Sequence, residues 1–146
     1  MGRENFGGIG TWKLVSYESH VDGVNVIYPL GRDAVGEIMY DVNGNMSAQL
    51  ADVHRPSFAS SDLRNVKPEE IIAAYKGYVA YFGTYDVDGS KGAIIHHVAG
   101  SLFPDWAGID LIRYYEFAGS RMTLRTEPMS RGSHKIVLIL VWEKVS

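Results

Sequence analysis

The 146-residue sequence contains no cysteine. Disulfide scaffolds, thiolate zinc sites, iron–sulfur clusters and cysteine nucleophiles are all excluded by that one absence. Basic residues are outnumbered: 14 Lys and Arg face 17 Asp and Glu, for a formal net charge of −3. A nucleic-acid binder presents a basic surface, so no nucleic-acid partner is expected. No apolar run approaches the ~18 residues of a membrane-spanning helix, so no membrane partner is expected either. The segment from Met1 to Gly10 carries charge early and then glycine, unlike the charged-then-apolar order of a secretory signal. The expected location is the cytoplasm. Linker-like runs of Pro, Ser or charge and internal repeats are also lacking. The expected organisation is an N-terminal extension over residues 1–9 and one domain over 10–146.

What the sequence has is turn chemistry, with 16 glycines and 12% aromatic residues. Short segments with strand-like composition are divided by turn signals at Asp22-Gly23, Asn43-Gly44, Asp88-Gly89 and Ala118-Gly119-Ser120. The strands expected are Thr11 to Glu18, Val24 to Tyr28, Val35 to Val42, Asn45 to Ala51, Thr84 to Val87, Ala93 to Ala99, Ile109 to Phe117, Met122 to Glu127 and His134 to Val145. One main helix is expected from Pro68 to Phe82. Pro68 suits a first helical position, Glu69 and Glu70 meet the positive end of the dipole, and apolar residues recur at three- and four-residue spacing. That apolar face is expected to pack on the sheet or cap its mouth. An antiparallel order of this kind closes into a barrel, which removes exposed edges.

Particular stretches sharpen this reading. They are Gly10-Thr11-Trp12-Lys13-Leu14-Val15-Ser16, Tyr28-Pro29-Leu30-Gly31, Met46-Ser47-Ala48-Gln49, Tyr81-Phe82-Gly83-Thr84-Tyr85, His96-His97-Val98, Gly100-Ser101-Leu102-Phe103-Pro104 and Arg113-Tyr114-Tyr115-Glu116. In this order and spacing the chain resembles the lipocalin-like domain family of small bacterial and fungal proteins, over about Gly10 to Val145. The resemblance implies a mainly β fold: a single antiparallel lipocalin-like β-barrel enclosing a cavity. It also implies an arginine stacked over the first-strand Trp12, with Arg113 and Arg125 as the candidates. Lys67 departs from the helix-capping Thr common in such proteins. Related proteins from biosynthetic clusters are thought to catalyse cyclisation or isomerisation, so the resemblance does not settle the activity.

Strand alternation assigns the interior. On the sixth strand the Ile94/Val98 face is the core face, which turns His96 inward and His97 outward. On the next, the Glu116 face belongs to solvent, which turns Arg113 and Tyr115 inward. Tyr40 shares a face with Gly36 and Ile38. On the first strand Trp12, Leu14 and Ser16 share one face, with Lys13, Val15 and Tyr17 opposite. Asn45 to Ala51 leaves the inward face open between Met46, Ala48, Leu50 and Ser47, Gln49. The ligand-contacting candidates are Tyr40, Gln49, Tyr78, Tyr115 and Trp106, with Tyr78 preferred to Tyr81 on the expected helix. A few polar groups in an apolar, aromatic interior are the make-up of a small-molecule pocket. His96 is the candidate for proton transfer and Arg113 for contact with an enolate or carboxylate. The competing reading makes both structural, a hydrogen-bonded core histidine and a barrel-closing arginine.

No metal and no cofactor are expected. His96 and His97 point to opposite faces, and His20, His54 and His134 lie in turns, loops or strand ends. No Gly-x-Ser-x-Gly elbow occurs, and Gly7, Gly8 and Gly10 precede a strand rather than a helix. Two functions remain. One is binding of a small hydrophobic or aromatic molecule in the barrel. The other is a cofactor-independent isomerase, cyclase or dehydratase acting on a polyketide- or terpenoid-like metabolite. A homodimer is a candidate assembly.

Overall fold

Asn43-Gly44 closes a tight hairpin. Gly44 sits at φ 90°, a region costly for side-chain-bearing residues, and the Asp41 carboxylate accepts the backbone N–H groups of Asn43 and Asn45. Similar turns fold the chain, here a computed structural model describing residues 5–146, into ten strands. These are β1 (Gly10–Val21), β2 (Asn25–Ile27), β3 (Val35–Tyr40), β4 (Asn45–Ala51), β5 (Tyr78–Asp88), β6 (Ala93–Ser101), β7 (Asp110–Ala118), β8 (Arg121–Arg125), β9 (Met129–Arg131) and β10 (His134–Lys144). The helix α1 (Pro68–Lys76) lies between β4 and β5. The antiparallel order β1-β3-β4-β5-β6-β7-β8-β10 closes on itself where β10 pairs along β1, from Trp12↔Lys144 to Val21↔Ile136. The short β2 and β9 extend the rim. β9 falls between the expected strands Met122 to Glu127 and His134 to Val145, where no strand was expected.

The helix is shorter than its spacing suggested. It ends at Gly77, and Tyr78 to Phe82 belong to β5. The physical reason is competition. Val79, Tyr81, Gly83, Tyr85 and Val87 alternate with period two, and β4 and β6 offer hydrogen-bonding ladders on both edges. The remaining helix buries no residue and Ile71 and Ile72 are each 54% exposed; of its apolar face, Tyr75 packs edge-on against Phe103 beyond the end of β6, with ring centres 5.7 Å apart. Lys67 at the N-cap has no side-chain acceptor to offer. Its backbone N–H donates to the Glu70 carboxylate at 3.0 Å, which satisfies one orphan group of the first turn.

Two bulges set the phase of the interior. In β1 the register shifts between Leu14 and Ser16, so Trp12 and Leu14 face inward, and past Val15 it is Tyr17 and Ser19 that do. The simple alternation that placed Ser16 with Trp12 fails there, because a bulge inserts one residue and reverses every later position. A second shift lies between β5 and β6 beside Phe82 and Gly83. A β-carbon on Gly83 would lie 1.9 Å from the His97 carbonyl oxygen, so only glycine allows this approach.

Residues 5–9 close one end. Phe6 packs edge-on against Tyr40 and Tyr115, with ring centres 5.5 and 5.6 Å away. Trp12 donates its indole N–H to the Gly8 carbonyl at 2.8 Å. Lys144, rather than Arg113 or Arg125, covers Trp12: its Nζ sits 4.9 Å from the ring centre and donates to the Ile9 carbonyl. Arg125 instead pairs with Glu116 on the outer surface. Of the expected extension, residues 1–4 lie outside the described residues.

Candidate functional site

His96 stands in the middle of β6, opposite Tyr85 and Leu111 on the neighbouring strands, and is fully buried. Its Nε2 lies 2.6 Å from the Tyr40 hydroxyl and its Nδ1 2.9 Å from the Tyr81 hydroxyl. Burial first, then the charges of Arg113 and His97, hold its pKa down to about 3. The ring is therefore neutral at physiological pH, with one N–H and one lone pair. One tyrosine donates to it and the other accepts from it. The accepting tyrosine keeps its own hydroxyl proton for another partner. Desolvation raises the pKa of both tyrosines, most strongly for Tyr40, so both hydroxyls stay protonated.

Aromatic rings run through the barrel in continuous contact. From the closed end, Phe6 meets Tyr40, Tyr40 meets His96, His96 meets Tyr81, Tyr81 meets Trp106 and Trp106 meets Phe103. Successive ring centres are 4.8 to 5.7 Å apart. Trp106 belongs to the 3-10 turn Pro104–Trp106 joining β6 to β7 at the helix end. The two ends differ in accessibility. Toward Phe6 the inward side chains Trp12, Tyr40, Tyr85, Met122 and Trp142 are buried. Farther along, Tyr17, Val79, Leu111 and Leu138 face inward yet keep partial exposure, as does Arg113 midway along β7. An interior packed at one end and reachable from the other suits a ligand entering past α1 and Trp106.

Arg113 lies opposite the fully buried Ile94. Its charge is felt by Tyr17, Tyr40, Tyr81 and His96, side chains of four different strands. Its Nη1 donates to the Ile112 carbonyl at 3.0 Å, and no carboxylate among the described residues pairs with it. Tyr115 faces inward across from Leu124, but toward the closed end, against Phe6 and Phe117.

The structure thus brings His96, Arg113 and Tyr40 to one interior, with Trp106 at its helix end. It takes Gln49 and Tyr78 out of it. Met46, Ala48 and Leu50 are the inward residues of β4, which turns Gln49 outward, and Tyr78 sits outside at the start of β5. The Tyr78 hydroxyl donates to Gln49 at 2.5 Å on the outer surface, with Arg55 stacked 4.9 Å from the Tyr78 ring centre. Tyr17 and Tyr81 take their place. Tyr81 was hidden by the helical spacing of its segment, although its period-two match with Val79, Gly83 and Tyr85 was available. Tyr17 was hidden by the bulge, which has no signature in the sequence.

His97 lies outside the barrel, between Asp110 (2.7 Å) and Asp86 (2.8 Å). The hydrogen bonds to Asp110 and then Asp86 raise its pKa. His20, His54 and His134 each pair with one carboxylate, of Glu18, Asp33 and Asp22. Among the described residues no three His, Asp or Glu side chains converge as metal ligands, and no helix is long and apolar enough to cross a membrane.

An eight-stranded antiparallel barrel with aromatic and polar groups turned into its interior defines a lipocalin-like protein. The chain belongs to the lipocalin-like domain family, whose model matches residues 9–145. It is 27% identical over 107 residues to the 4'-hydroxy-3'-methoxypropiophenone carrier protein ppsC of Aspergillus oryzae, a match covering 68% of this chain and 96% of that protein. No solved structure matches the chain.

Proposed function

We propose that this domain is a carrier: it binds a small, mainly aromatic molecule inside the barrel and releases it unchanged. The observation that carries the proposal is the run of ring contacts from Phe6 through Tyr40, His96 and Tyr81 to Trp106, within an interior whose helix end keeps partial exposure. Flat rings offer edge and face contacts to an aromatic ligand at little entropic cost. The relative named as a carrier of an aryl ketone supports the same class of ligand.

The enzyme reading rests on the same interior, with Arg113 stabilising developing negative charge and His96 moving a proton. Its weak point is His96. Both ring nitrogens are engaged, the ring is inaccessible, and a pKa of about 3 leaves a feeble base at neutral pH. We therefore assign His96 the job of holding Tyr40 and Tyr81 in position.

The test is titration of the protein with 4'-hydroxy-3'-methoxypropiophenone and a panel of aryl ketones and polyketide-like aromatics. Tryptophan fluorescence and calorimetry read binding, and mass spectrometry examines the recovered compound. Saturable binding with the compound recovered intact supports a carrier. A converted product establishes the isomerase, cyclase or dehydratase instead. Absence of saturable binding across the panel refutes an interior ligand site of this class.

A further inference from the structure

The inventory of charge inside the barrel is unbalanced. Arg113, on the inward face of β7 opposite the fully buried Ile94, brings a permanent positive charge, and the groups that feel it on the facing strands are Tyr17 on β1, Tyr40 on β3, Tyr81 on β5 and His96 on β6. None of them is an anion at neutral pH. A guanidinium offers five N–H donors, and among the described residues only the bond to the Ile112 carbonyl engages one. Every other described arginine with an ion pair, namely Arg64, Arg121 and Arg125, meets its carboxylate on the outer surface. A second donor of the interior is also unmatched: the Trp142 indole N–H, on β10 opposite Leu14, is buried and has no acceptor among the described residues.

Half-burying an unpaired charge is costly, and the cost is recovered when an anion arrives in the same low-dielectric space. Arginine suits this task because its planar fork matches two oxygens at once and it is less strongly hydrated than lysine. We propose that Arg113 is the anion-recognition residue of the barrel and that its ligand is an aromatic molecule bearing an ionised oxygen, a phenolate or a ring carboxylate. This rests on the carrier reading and makes it more specific. The ring lies among Tyr81, Trp106 and their neighbours, and the oxygen anion faces the guanidinium. An accepting tyrosine of the His96 pair, with its hydroxyl proton to spare, supplies a further donor to the same oxygen.

Two matched pairs of probes test this on the whole chain. One is para-acetylbenzoate against its methyl ester. The other is para-hydroxyacetophenone against its methyl ether, titrated above the phenol's own pKa. The expected result is that at least one anion binds ten or more times tighter than its neutral partner. Arg113→Met should erase that preference and Arg113→Lys should keep part of it. The carboxylate pair and the phenolate pair tell the two sources of anion apart. A measurement on the unaltered protein stands beside the variants. An acyl phenolate absorbs at longer wavelength than its phenol, so bound para-hydroxyacetophenone should show the phenolate band at a pH where the free compound is still protonated. The inference is overturned, with the carrier reading intact, if neutral members bind as well as or better than both anions. It is equally overturned if the preference survives in Arg113→Met. If none of the four probes binds, the carrier reading and this inference fall together.

Discussion

His96 and His97 are neighbours in the chain, yet the wall of the barrel separates their imidazoles. His96 is sealed inside between two tyrosine hydroxyls, and His97 stands outside between two aspartates. The two sites push their pKa values in opposite directions from the same starting value of 6.5, down to about 3 for His96 and upward for His97. Stability then depends on pH from both sides. Below about 6.5 the unfolded chain binds a proton that folded His96 refuses, so stability falls as pH drops, by up to about 1.4 kcal/mol per unit from this group. The contribution of His97 has the opposite sign. It is fully present below 6.5 and is lost as pH rises through the raised folded value. Thermal melts from pH 4 to 9 should therefore show both limbs. His97→Gln should flatten the alkaline one, and His96→Gln, which hydrogen-bonds but cannot ionise, should flatten the acid one. Identical profiles for all three proteins would contradict this account.

Removing the Tyr40 hydroxyl strips a partner from a buried imidazole nitrogen. Tyr40→Phe is expected to lower stability by about 1–3 kcal/mol, the cost of an unsatisfied buried polar group. Tyr81→Phe should cost a similar amount. It should also weaken ligand binding more than Tyr40→Phe does, because Tyr81 touches Trp106 at the accessible end. Denaturant unfolding and ligand titration of both variants separate the two effects.

Gly83 is held to glycine by contact rather than by dihedral angle. Gly83→Ala would press a methyl group into the His97 carbonyl. The bulge would have to open or shift register, with an expected loss of about 3 kcal/mol. Gly89, whose added β-carbon meets nothing within 4 Å, is the control, and Gly89→Ala should change unfolding little.

Lys67→Thr places a hydroxyl acceptor at the helix N-cap and should stabilise the protein by about 0.5–1 kcal/mol. Glu70 already returns the other half of the capping interaction. The helix buries no residue, so the gain should appear as slower local hydrogen exchange in Pro68–Lys76 as well as in the melting temperature. No change in either would mean that the helix terminus contributes nothing measurable.

Composition, turn residues and alternation were enough to determine an antiparallel barrel and the inward positions of Tyr40, His96, Arg113 and Tyr115. Each of these lies in a stretch of strand that pairs with its neighbours without a register shift, and the period-two geometry of a strand is a local property. The tertiary structure alone decided three other matters. The segment after Gly77 is apolar at both helical and strand spacing, and only the ladders of β4 and β6 made it a strand, bringing Tyr81 inside and leaving Tyr78 outside. The bulge at Val15 turned Tyr17 inward, and nothing local in the sequence marks an extra residue that exists only relative to a partner strand. Lys144 came to cover Trp12 because the last strand closes the barrel against the first, which pairs Trp12 with Lys144 from opposite ends of the chain. Strand phase is written in neighbouring residues, whereas pairing and register belong to the sheet as a whole, so the chemistry of the interior was only partly legible before the barrel was closed.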